Sequence, residues 1–194
     1  MTLTIEVPGD AARDVLTQAE AATRTAAVRD VRYALRLDLK ANAATFHGRI
    51  RASFTLATAA TGPLFLCFRG RTIHALSLNG VAVETPAWDG YRLTLPTDLL
   101  KGGAENLLDV EYENAYDTGG DGVFRFVDPE DQAEYVYTNF EPYEAHRMAP
   151  LFDQPDIKAK LALSVAAPST WRVFGNGAEV SATSEDRKST RLNS

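Results

Sequence analysis

From Val31 onward the chain alternates strictly between apolar and polar positions. Val31, Tyr33, Leu35, Leu37 and Leu39 are separated by Arg32, Ala34, Arg36, Asp38 and Lys40, the period of two that turns one face of a strand to a core and the other to water. Phe46, Gly48, Ile50, Ala52, Phe54 and Leu56 repeat it against His47, Arg49, Arg51, Ser53 and Thr55. One-sided burial of this kind is the habit of antiparallel sheets. Downstream, shorter apolar runs are punctuated by turn residues. Gly62-Pro63 opens a strand at 64–68, Asn79-Gly80 joins Ile73–Leu78 to Val81–Glu84, and Asp89-Gly90 separates Trp88 from Tyr91–Leu95. Asn-Gly and Asp-Gly pairs suit two-residue hairpins because both central positions need positive φ. Lys101-Gly102-Gly103 is a turn before Leu107–Tyr112, and the loop 117–122 (DTGGDG) precedes Val123–Val127. Pro142–Met148 has room for one helical turn, after which Ile157–Ala166 and Trp171–Gly175 return to strand patterning.

Ahead of the strands, Thr17-Gln18-Ala19-Glu20 has the form of a capping box, with Leu16 placed to staple against Ala21. The alanine-rich run that follows predicts one short helix over 17–28. Short strands at near-regular spacing with almost no helix predict an all-β domain, a mostly antiparallel sandwich or saddle with a short N-terminal helix. The expected organisation is a flexible segment over 1–16, one β-domain over 17–185 and a separate tail over 186–194. That tail (DRKSTRLNS) is basic, polar and without periodicity at the end of an acidic chain. It reads like the in-frame translation of a sequencing adapter, so the natural frame is expected to end near Glu185 and the gene to continue. A short disordered natural tail is the other reading.

Composition narrows the function. The chain has 194 residues, 45% of them hydrophobic and 24% charged, with a net charge of −6. That is enough for one core, and the acidic balance argues against a nucleic-acid partner. No apolar run approaches the roughly 20 residues that span a bilayer, so no membrane partner is expected. The first thirty residues lack a basic and apolar leader, and the single cysteine, Cys67, excludes an internal disulfide. A cytoplasmic location follows as an expectation, with Cys67 a buried small hydrophobe. The three histidines, His47, His74 and His146, show no paired spacing of a zinc site. Asp117 and Asp121 among glycines lack the D-x-D-x-D-G spacing of a calcium loop, which favours a plain turn.

The remaining candidate chemistry lies in Thr138-Asn139-Phe140-Glu141-Pro142-Tyr143-Glu144-Ala145-His146-Arg147 and in the block from Phe152 to Lys158. A carboxylate at Glu141, beside Phe140 and Pro142, is expected to be at least half-buried, and burial is costly unless a cation or hydrogen-bond donors compensate it. Arg147 could supply that charge by pairing with Glu141, Glu144 or Asp153, which is the ordinary fate of such carboxylates. Alternatively, Glu141 could await the ammonium group of a substrate.

This segment resembles one in the aminopeptidase N-type zinc metallopeptidases. The likeness runs over roughly 17–185 and is most specific from Tyr135 through Glu141-Pro142, Arg147, Phe152-Asp153-Gln154-Pro155-Asp156-Ile157-Lys158-Ala159, Ala167-Pro168, Trp171 and Asn176-Gly177. It implies an N-terminal β-domain that caps the cleft of a zinc aminopeptidase, an enzyme that removes N-terminal residues from peptides. By similarity Glu141 takes the place of the family Glu that binds the free α-amine. Asn139 takes the place of a residue, more usually Gln, that lines the first side-chain subsite. Arg147, Asp153 and Pro155 match motif positions that serve the architecture. The G-x-M-E-N loop and H-E-x-x-H helix do not occur in the sequence. The resemblance therefore places zinc and its ligands in the full-length enzyme, on a catalytic domain that would be this domain's partner along with the peptide. The 194 residues are expected to be inactive alone and to hold no zinc. The rival reading is a stand-alone β-sandwich that binds carbohydrate or protein through Trp88, Tyr91 and Tyr116 on exposed loops.

Overall fold

The computed structural model describes residues 14–58, 62–184 and 187–193, with side chains up to residue 182. The expectations for residues 1–13 and for the side chains of the tail lie outside the described residues. The chain enters through one helix, α1 (Gln18–Ala27), whose Thr17–Glu20 capping box is formed in both directions. It leaves α1 at the β-branched Val28, already in extended geometry, and runs directly into β1 (Val28–Asp38). Then follow β2 (Thr45–Leu56), β3 (Phe65–Cys67), β4 (Thr72–Leu78), β5 (Val81–Ala82), β6 (Ala87–Trp88), β7 (Arg92–Thr94) and β8 (Glu105–Ala115). The last five strands are β9 (Gly122–Val127), β10 (Glu134–Asn139), β11 (Ala159–Pro168), β12 (Ala178–Ser184) and β13 (Arg187–Asn193).

Among the described residues these strands form an eight-stranded sheet in the order β12-β13-β11-β1-β2-β8-β4-β5, a three-stranded sheet β3-β7-β6 and the hairpin β9-β10. Every pairing is antiparallel except β1 with β11. The fold is thus all-β with a short N-terminal helix, as the alternation predicts. In β1 and β2 the apolar positions named above are buried and their partners face outward. The core gathers Phe46, Ile50, Phe54, Leu66, Phe68, Leu93, Leu108 and Tyr112, all essentially inaccessible. Gly48 holds an inward position opposite Tyr112. A Cβ there would lie 2.1 Å from the tyrosine ring, so the missing side chain is the space that Tyr112 occupies.

Two turn predictions meet different outcomes. Asn79 and Gly80 have φ of 55° and 84°, the two-residue hairpin expected, and Asn79 Nδ2 also reaches Leu99 O at 2.7 Å and Asn106 Oδ1 at 2.9 Å. At Asp89-Gly90 only Gly90 has positive φ. The Asp89 carboxylate instead accepts the backbone N–H groups of Tyr91 and Arg92 at 2.9 and 2.7 Å. A side chain that bonds its own turn offers the backbone a longer loop than the two-residue one. The strand expected at Trp171–Gly175 does not form. Trp171 and Val173 pack on the core while Phe174 is 84% exposed. The alternation is real, but no neighbouring strand among the described residues pairs with it. Conversely, β13 lies within the segment read as a tail, and its backbone pairs with both β11 and β12.

Candidate substrate-amine site

The residues from Asn139 to Asp153 leave the sheet at the end of β10 and cross back over the core before β11. Asn139 pairs with Gly122 across the β9-β10 hairpin, and its Nδ2 donates to Gly120 O at 3.2 Å. After the half-buried Phe140, Glu141 and Pro142 are exposed and joined by a cis peptide bond. Ala145–Arg147 forms one 3₁₀ turn, the helical turn expected between Pro142 and Met148.

Each flank of this loop is tied to the fold. Arg147 pairs through Nη1 with Asp117 Oδ2 at 2.8 Å and through Nε with Glu144. Its carbonyl accepts Asn114 Nδ2 at 2.6 Å, and the same amide donates to Arg69 O. His146 is fully buried. Its Nδ1 lies 2.8 Å from Asp153 Oδ2 and its Nε2 2.7 Å from Asp14 Oδ1, so both ring nitrogens face carboxylates. The His146 backbone N–H also donates to Asp153 at 3.0 Å, and the Tyr143 ring lies 4.4 Å from the imidazole, centroid to centroid.

In the glycine-rich loop both carboxylate oxygens of Asp117 are already engaged. Oδ1 accepts the N–H groups of Gly119, Gly120 and Asp121 at 2.6 to 3.3 Å, while Oδ2 takes Arg147. Burial raises the Asp117 pKa, but these donors and the Arg147 charge outweigh it and leave it below the ordinary value. Gly122, at φ 64°, is required by the same arrangement, since a Cβ there would come within 2.8 Å of Arg147 Cβ.

The structure corrects one expectation about Glu141 and answers another. The carboxylate is exposed rather than half-buried. Of the three acids that Arg147 was offered, the structure selects Glu144. Its other partner, Asp117, lies outside that set. Glu141 has no hydrogen bond or ion pair to any described residue. Asp153 serves His146 instead of Arg147. Pro155 stands in the turn that closes with Ile157 N donating to Gln154 O at 3.3 Å, where its fixed φ suits the first central position.

The hub of that turn is Gln154, whose role no spacing could reveal. It is buried, accepts from Arg24 Nε and donates to Ala21 O, Thr25 Oγ1 and Asp156 Oδ1. The turn is thereby fastened to α1. Cys67 is buried as expected, though it has polar neighbours, with Arg24 Nη1 at 3.2 Å and the Tyr143 hydroxyl at 3.0 Å.

The aromatics of the rival reading do not form an exposed face. Tyr116 is buried and packs on Phe46. Trp88 is half-buried and donates Nε1–H to Phe68 O at 2.9 Å. The exposed aromatics are instead Phe126, Tyr135 and Tyr137 on the β9-β10 hairpin, together with Phe174. No helix among the described residues is long and apolar enough to cross a membrane.

Comparison with known proteins bears on the family and the fold. The profile of the Peptidase M1 N-terminal domain matches residues 29–193. Aminopeptidase N of Streptomyces lividans is 36% identical over 164 residues, 83% of this chain and 19% of that protein. A probable M1 family aminopeptidase of Encephalitozoon cuniculi is 35% identical over 85 residues, 44% of this chain and 9% of its own length. The chain therefore spans about a fifth or less of the curated relatives it matches. Among solved structures, an M1 zinc metallopeptidase from Deinococcus radiodurans shares the fold with a TM-score of 0.64 at 20% identity, over 86% of this chain and 39% of that one. A two-domain M1 zinc metallopeptidase bound to L-arginine gives 0.66 at 20% identity over the same shares. With the family profile matching most of its length and a relative 36% identical over 83% of it, this chain belongs to the Peptidase M1 N-terminal domain family.

Proposed function

We propose that the chain is the substrate-gating domain of a zinc aminopeptidase and that Glu141 receives the free α-amine of the peptide, with Asn139 lining the first side-chain subsite. The observation that carries this reading is the contrast within the loop. Arg147, Glu144, His146, Asp153 and Asp117 are all engaged with one another or with the fold, and the exposed Glu141 has no partner among the described residues. A carboxylate held on a fixed loop and left without a cation is preorganised for an incoming ammonium, since little ordering remains to be done on binding. Charge-assisted hydrogen bonds of this type contribute about 1.5–3 kcal/mol each. The exposed aromatics of the β9-β10 hairpin give a neighbouring domain an apolar surface on which to close, which suits the cleft-capping role.

The residues around Glu141 do not form a zinc site. His146 has both ring nitrogens occupied by Asp153 and Asp14, and the remaining two histidines lie on β2 and β4. The proposal therefore leaves the metal chemistry to the catalytic domain of the parent enzyme and assigns to this domain the measurement of the substrate's amino end.

In the full-length parent enzyme, Glu141→Gln should lower kcat/KM for free-amine substrates roughly ten- to a hundred-fold, with the melting temperature essentially unchanged. Steady-state kinetics and a melting curve on the same variant test both halves. A large loss of melting temperature with normal kcat/KM would show Glu141 to be a structural carboxylate.

A further inference from the structure

The register of three adjacent strands builds a second side-chain cluster, on the face of the eight-stranded sheet that points away from the core. His47 leaves β2 at the position paired with Glu113 of β8, and Thr72 of β4 pairs with the same residue from the other side. The β4-β8 ladder then slips. Ile73 pairs with Tyr112 and Ala75 with Glu111, so His74 is the extra residue of a bulge. Regular alternation would send His74 and Ala75 to opposite faces, yet both are exposed, because a bulge re-aims the side chain it inserts. The His47 and His74 rings consequently stack, with centroids 5.8 Å apart and 26° between their planes. His47 Nε2 lies 3.3 Å from Glu113 Oε2. One ligand atom from each of His47, His74 and Glu113 lies within 4.8 Å of the other two.

We propose that His47, His74 and Glu113 form a binding site for a divalent transition metal of the imidazole-favouring class, with Zn²⁺ the foremost candidate. Two imidazoles and one carboxylate are a recognised donor set for this class. Ligand bonds of about 2.0–2.2 Å require the three donor atoms to close somewhat further than they stand. Both histidines are exposed and can turn inward to do so, leaving the remaining coordination positions to water. Glu113 is also supported as an outer shell requires, since its other oxygen, Oε1, faces Arg71 Nε at 3.4 Å. That contact fixes the carboxylate while one oxygen stays turned to the histidines.

The surrounding charge ladder supplies the alternative account. Asp109 takes Arg49 and Arg51, and Glu113 takes Arg71 and His47. That account leaves His74 unexplained, because it enters none of these pairs and instead stacks on a second imidazole. A bound ion would clip β2, β8 and β4 together, and binding to the folded state alone would raise stability by mass action.

The test is a titration of the EDTA-treated 194-residue chain with Zn²⁺ by calorimetry and with Co²⁺ by its visible ligand-field absorption. One equivalent should bind, against the expectation from sequence spacing that the chain holds no zinc. His74→Ala or Glu113→Gln should weaken it by at least the roughly ten- to hundred-fold that loss of an outer-shell partner costs. Zn²⁺ should raise the melting temperature of the wild-type chain and not that of His74→Ala. Melting curves in EDTA serve as the folding control, since both histidines are exposed and their removal should leave the apo transition in place. Absence of saturable binding, or binding that survives the His47→Ala/His74→Ala double variant, would overturn the assignment.

Discussion

Glu141 and His146 belong to one loop and meet opposite fates. The imidazole is enclosed, and each of its ring nitrogens lies within hydrogen-bond distance of a carboxylate. Removing it takes one partner from each carboxylate, although Asp14 keeps Arg69 and Asp153 keeps the backbone N–H of residue 146. His146→Gln should therefore destabilise the fold by about 2–4 kcal/mol, toward the lower end of what losing one member of a buried pair costs, because the two aspartates keep 23% and 16% of their side-chain exposure. Chemical denaturation of the variant measures this, and an unchanged midpoint would show the enclosure to be energetically neutral. At Glu141 the same kind of measurement should find almost nothing, as exposed positions without partners rarely contribute beyond a few tenths of a kcal/mol. The pair of results would separate a residue that holds the loop from one that the loop presents.

Elements in this protein are set by their neighbours as much as by their own pattern. In β2, Gly48 weakens a strand in isolation, yet its place opposite Tyr112 is what lets that ring lie across the sheet. Tyr112 cannot retreat, since its hydroxyl donates to Met148 O at 2.7 Å and its ring packs edge-on against Phe68. Gly48→Ala should thus cost about 1–3 kcal/mol by overpacking, and the thermal transition of the variant reports it. The bulge in β4 is a second case, because the slipped ladder leaves His74 and Ala75 both on the outer face. The helix α1 is a third. It is mostly polar or alanine on its surface, and its buried member is Arg24. Gln154 and the face of Phe65, 4.9 Å from the guanidinium, tie it to the body of the domain.

For the molecule as a whole, the join between that helix and the sheets is sensitive to acid. Glu20 pairs with Arg92 at 2.6 Å. Burial raises its carboxyl pKa, but the Arg92 hydrogen bond and charge, together with the Thr17 bonds of the capping box, outweigh it and lower the value from 4.5 to about 2. A carboxyl whose pKa is lower folded than unfolded contributes stability above its unfolded pKa and loses that contribution as the pH falls through the folded one. The helix contact should accordingly weaken between about pH 4.5 and about pH 2. Melting temperatures across that window should fall less steeply for Glu20→Gln than for the wild-type chain, and equal slopes would remove Glu20 from the account.

By itself the sequence determined the local grammar of this protein: the capping box, the two alternating strands, the Asn79-Gly80 hairpin and the all-β class. Each of these follows from side-chain period or backbone φ within a few neighbouring residues. The motif around Glu141 was legible for the same reason, as a contiguous run carrying a family resemblance. Tertiary structure alone decided which groups meet. Arg147 finds Asp117 across the chain, His146 finds Asp14, Gln154 fastens a turn to α1, and His47, His74 and Glu113 converge from three strands. Trp171–Gly175 shows the limit from the other side, since its pattern suits a strand and no partner edge among the described residues receives it. A strand or a charge pair is a property of two segments, and the energy that selects the second segment comes from burying the whole core at once.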